Sequence, residues 1–92
     1  MADTLEFDLR RRLEALSKND PDTRLSFIVT LRAGANSASI AKEGMQIEQR
    51  IDEPPLLMGT MTPKQALAVA GLDNVALVEQ DERGVHAIDT SH

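Results

Sequence analysis

The chain has 92 residues, with 10 basic and 15 acidic side chains, a formal charge of −5 with histidines neutral, and 41% hydrophobic but only 2% aromatic content. A chain of this size buries roughly 60% or more of its extended surface, which supports one core but not two and disfavours disorder throughout. Without Cys, Trp or Tyr, and with Phe7 and Phe27 as its aromatics, it has no disulfide framework, thiol nucleophile, Cys-based metal site or base-stacking platform, and its acidic balance disfavours nucleic acid.

The opening Met1-Ala2-Asp3-Thr4-Leu5-Glu6 lacks the basic-then-apolar order of a secretory signal, and no apolar run approaches the roughly 20 residues of a membrane span. A cytoplasmic protein without a membrane partner is the expectation. Leu5, Leu9, Leu13 and Leu16 recur at helical spacing, and Asp3 followed by Glu6 resembles a capping box, so a helix is expected from Asp3 to Leu16. Arg10, Arg11 and Arg12 fall on its solvent face. Pro21 and the short polar side chains of Ser17-Lys18-Asn19-Asp20-Pro21-Asp22 then end the pattern, which marks residues 1–22 as a helical arm with a linker.

A compact unit follows over residues 23–84. Leu25, Phe27, Val29 and Leu31 alternate with polar residues while Ile28 makes the other face partly apolar, the pattern of a central strand. Ala33-Gly34-Ala35-Asn36 is a turn. Ser37 to Glu43 reads as a short helix, with Asn36 as its cap, Ala38, Ile40 and Ala41 toward the core, and Gly44 at its end. Met45, Ile47 and Ile51 alternate with Gln46, Glu48 and Arg50 on a half-buried strand. Asp52-Glu53-Pro54-Pro55 turns the chain, and Leu56 to Met61 returns as a strand in which Gly59 marks a bulge or a close approach.

Thr62-Pro63-Lys64-Gln65 is a strong helix start: Thr62 caps, Pro63 has no amide to waste at the first helical position, and Gln65 closes the capping box. This helix is expected to reach Ala70, with Gly71 as a left-handed C-terminal residue and Leu72 as the apolar contact beyond it. Val75 to Val78 is the last strand. Glu79-Gln80-Asp81-Glu82-Arg83-Gly84 turns polar, and Val85 to His92 is a tail. The order predicts an α+β fold of the ferredoxin-like βαββαβ kind: a four-stranded antiparallel sheet with two helices on one face, plus the extra N-terminal helix.

The stretch from Met61-Thr62-Pro63-Lys64-Gln65 to Val75-Ala76-Leu77-Val78-Glu79-Gln80-Asp81 resembles the subtilisin propeptides and propeptide-like peptidase inhibitors. There a Thr-Pro-x-Gln helix leads to Val-Ala-x-Val-Glu-x-Asp on the last strand. Phe27-Ile28-Val29-Thr30-Leu31 looks like that family's first strand, and Leu57-Met58-Gly59-Thr60-Met61 sits where its third strand enters the helix. The resemblance runs from Leu25 onward and leaves the N-terminal helix outside it. It implies a module that docks its sheet on a subtilisin-like serine protease and lays its tail along the active-site cleft, as inhibitor, folding chaperone or both.

Carried over by position, Glu79 and Asp81 meet helix N-termini on the protease, where a carboxylate is favoured by orphan amides and the helix dipole. Val85, His86, Ala87 and Ile88 occupy the substrate subsites, with main-chain hydrogen bonds adding the tail as a strand. No catalytic residue, cofactor or metal is expected. Glu79, Asp81, Glu82 and Asp89 lack a calcium-loop spacing and read as a solvated face, His86 and His92 have no third convergent ligand, and Met45, Met58 and Met61 read as core filling. The alternative function is a non-inhibitory ferredoxin-like interaction domain that forms a homodimer through a free strand edge, Leu56 to Met61 or Met45 to Ile51, or through the Leu-rich helix.

Overall fold

The computed structural model describes residues 4–35 and 37–81. Along the chain run α1 (Phe7–Asn19), β1 (Leu25–Leu31), α2 (Ala38–Lys42), β2 (Gln46–Asp52), β3 (Pro55–Met61), α3 (Pro63–Ala70) and β4 (Val75–Gln80). The strands pair antiparallel in the order β2-β3-β1-β4, an α+β fold with the strand order of the ferredoxin-like split arrangement. β1 is central, as its two apolar faces require: Phe27, Val29 and Leu31 are buried, and Ile28 lies half-buried on the reverse side.

One core cluster gathers side chains from all three helices and one face of the sheet. Leu9 and Leu13 of α1, Ile40 of α2 and Ala66 and Val69 of α3 share it with Phe27, Val29, Leu57, Met61, Val75 and Val78. The N-terminal helix therefore packs on the same core as the sheet, beside α3, and all helices lie on one side. Arg10, Arg11 and Arg12 are solvent-exposed, as expected, and Arg11 lies 5.7 Å from the centroid of the exposed Phe7 ring.

Several boundaries differ from the sequence pattern. α1 starts at Phe7 behind Glu6, which makes no side-chain cap hydrogen bond, and continues to Asn19 rather than ending at Leu16; Asp3 lies outside the described residues. Leu5 is not helical. It forms a parallel bridge with Val78, whose amide donates to the Thr4 carbonyl at 2.8 Å, so the segment before α1 covers the outer edge of β4. Burying Leu5 there, at 1% exposure, outweighs one more helical turn, because a fully buried leucine is worth about 1.5–3 kcal/mol.

In the short α2, Ile40 reaches the core while Ala38 and Ala41 stay exposed, and Ser37 occupies the cap position; Asn36 is outside the described residues. Gly44, at φ +114°, stops this helix as the sequence implies. The bulge falls on β2 at Glu48, between Ile47 and Gln49, and Gly59 is instead a close approach: a Cβ there would meet the Gln46 carbonyl. β4 extends through Glu79 to Gln80, past the polar boundary expected after Val78. Gly71 is not left-handed, with φ −87°; α3 closes by tight bonds from Gly71 N–H to Ala68 O and from Leu72 N–H to Val69 O. Leu72 does pack against the core.

The start of α3 follows the sequence reading closely. The Gln65 amide donates to Thr62 Oγ1 at 3.2 Å and the Thr62 amide to Gln65 Oε1 at 2.9 Å, the reciprocal bonds of a capping box. Thr62→Ala is expected to lower stability by about 1 kcal/mol, read as a lower midpoint in urea with an unchanged slope. A midpoint within error of the parent would show the cap to be idle.

Candidate protein-docking face

With all helices on one side, the other side of the sheet is uncovered among the described residues. Strand pairing identifies its occupants, since directly opposed residues point to the same face. One row runs Gln49, Met58, Ile28 and Glu79 across β2, β3, β1 and β4, and the next runs Ile51, Leu56, Thr30 and Leu77. A third places Gln46, Thr60 and Ser26 side by side, and the Asp81 amide donates to the Ser26 carbonyl at 2.8 Å where β4 ends.

The middle of this face is apolar. Ile28, Ile51, Leu56, Met58 and Leu77 are half-buried, and none belongs to the core cluster or packs against it. Met58 thus departs from the core-filling role expected for it, whereas Met45 and Met61 are buried in the core. Charge is confined to the margins. The exposed Glu79 stands opposite Ile28 at the β4 side, and Asp81 follows at the strand end. Arg24 closes another margin, its Nη2 donating to the Thr60 carbonyl at 2.9 Å and its Nε to Thr60 Oγ1 at 3.3 Å.

Apolar side chains rimmed by charge are the composition of an interaction patch, and a sheet held by antiparallel neighbours presents them without reorganisation. A depression of about 670 Å³ lies elsewhere, between the turn after β1 and the β2–β3 hairpin, with Gly34, Ser37, Arg50 and Asp52 on its walls. On these walls Arg50 Nη1 donates to Ser37 Oγ at 3.4 Å, and no group of three His, Asp or Glu side chains among the described residues is placed to hold a metal ion.

Of the residues singled out by sequence, Glu79 lies on the open face and Asp81 at its corner, while Val85, His86, Ala87 and Ile88 fall outside the described residues, as do Glu82, Asp89 and His92. The apolar residues of the face were not identified as a site from sequence, although Ile28 signalled that β1 had two apolar sides. No described helix is long and apolar enough to cross a membrane. Comparison of the chain with family models, curated proteins and solved structures returns no match.

Proposed function

We propose that this chain is a protease-binding module, not an enzyme, that docks the open sheet face on a subtilisin-like serine protease and lays the segment after Asp81 along the active-site cleft. The observation that carries the reading is the coincidence of two features on β4. The strand whose Val-Ala-Leu-Val-Glu-Gln-Asp sequence resembles the propeptide motif also supplies Leu77 and Glu79 to the uncovered apolar face. In this reading Met58, Ile28, Leu56 and Leu77 exclude water from the contact, Glu79 and Asp81 accept hydrogen bonds from helix N-termini of the protease, and Val85 to Ile88 occupy its subsites. The tail inhibits as a bound product-like peptide, and the docked sheet provides a template on which the protease folds.

The test is the initial rate of a subtilisin-type protease on a peptide substrate as the protein is titrated in, beside a form ending at Gly84. Competitive inhibition by the full chain and its loss, by about a hundredfold or more, in the shortened form are expected. Digestion of the full chain without inhibition would overturn the proposal.

A further inference from the structure

The two edges of the sheet are treated differently. β4 is covered by Thr4 and Leu5 through the Val78 bridge, whereas β2, at the other end of the strand order, has no neighbour on its outer side among the described residues. β3 is interior, so the stretch Leu56 to Met61 considered from sequence as a free edge is not one, and of those two stretches the β2 one is an edge among the described residues. The centre of β2 reads Glu48-Gln49-Arg50, with all three residues exposed.

That triplet is complementary to itself. An antiparallel pairing about a two-fold axis through Gln49 sets Glu48 against Arg50 of the second copy, Arg50 against its Glu48, and Gln49 against Gln49. Glu48 has no side-chain partner among the described residues. Arg50 is only loosely held, 4.0 Å from the exposed Asp52 carboxylate and 3.4 Å from Ser37 Oγ, contacts of little energetic weight at an exposed position. Both charges are thus at liberty to turn outward. The bulge at Glu48 is an ordinary protection against indiscriminate strand addition, and here it limits pairing to a short segment in which charge decides the partner.

We infer that β2 is a homodimerisation edge, joining two copies through Glu48–Arg50 pairs into one continuous sheet. A two-fold axis perpendicular to the sheet keeps the helices of both copies on one side and leaves both open faces on the other. Both β4 strands then stand at the outer ends, so each dimer carries two docking faces. The short contact makes the association weak and concentration-dependent. Because the edge is separate from the face, the inference does not depend on protease binding.

Sedimentation velocity over a roughly hundredfold concentration range tests it on the full chain. The expected result is a monomer–dimer equilibrium that weakens with added salt, is weakened about tenfold or more by either E48R or R50E, and is restored by the E48R/R50E double swap. Both substituted positions are exposed, and circular dichroism of each of the three variants checks that its fold is unchanged. A protein that stays monomeric throughout, a dimer indifferent to the single swaps, or one the double swap fails to restore overturns the inference.

Discussion

A chain beginning at Thr23 is expected not to fold, although the sequence around Pro21 reads as a linker after a separable arm. The arm contributes Leu5, Leu9 and Leu13 to the core, with Leu13 at 0% exposure, and its removal uncovers the side of α3 that α1 packs on. Truncating a single buried leucine to alanine costs about 2–5 kcal/mol, while a domain of this size has about 5–15 kcal/mol in total. Losing three such side chains together costs about 6–15 kcal/mol, as much as the whole stability of such a domain. The Val78 amide also loses the Thr4 carbonyl, and the edge of β4 becomes a bare template for aggregation.

Thermal melts followed by far-ultraviolet circular dichroism decide the matter. The full chain should show a cooperative transition and residues 23–92 none, with Leu13→Ala in the full chain showing a transition lowered by about 2–5 kcal/mol. A cooperative melt of the shortened chain near the parent midpoint would show that α1 is an appendage. The result bears on the proposed function, because β4 carries Glu79 and the proposed tail follows it in sequence. Arg12 of α1 donates to Gln80 Oε1 at 2.8 Å, and α1 thus steadies the strand end between the two carboxylates.

Met58→Glu is expected to separate binding from folding. Met58 lies near the middle of the open face, between Ile28 and Gln49 on the neighbouring strands, and outside the core cluster. A carboxylate there leaves the helix-side packing intact, so stability should change by about 1 kcal/mol or less. In a docked complex the same carboxylate is desolvated against an apolar surface without a partner. Loss of a central contact of this kind costs at least about 2 kcal/mol, or roughly thirtyfold in the inhibition constant. Met58→Leu, which conserves volume and polarity, should leave both quantities unchanged. Equal inhibition by the Glu variant and the parent would remove the open face from the binding reading and leave the tail alone to account for any inhibition.

Arg10, Arg11 and Arg12 read from sequence as a solvated stripe, and their exposure fits that reading. The Arg12 bond to Gln80 nevertheless spans 68 positions, and no local pattern signals it. Glu79 was legible as a candidate because it lies in a contiguous motif. Its neighbours on the face were not, because Met58, Ile28 and Leu77 are brought together only by strand pairing.

What the sequence by itself determined has local causes, although not every local signal held: Gly71 is not left-handed and α1 lacks the side-chain cap at its start. The order of helices and strands follows from periodicity, the start of α3 from reciprocal bonds within Thr62-Pro63-Lys64-Gln65, the end of α2 from the backbone freedom of Gly44, and the central place of β1 from its two apolar faces. Tertiary structure alone decided the rest. Leu5 left the helix because the edge of β4 offered it burial and a bridge, and the bulge fell at Glu48, where β2 must fit the close approach at Gly59. The open face exists because all three helices share one side of the sheet. Local propensities amount to a few tenths of a kilocalorie per residue, whereas burial and strand pairing act between residues distant in the chain and outweigh them.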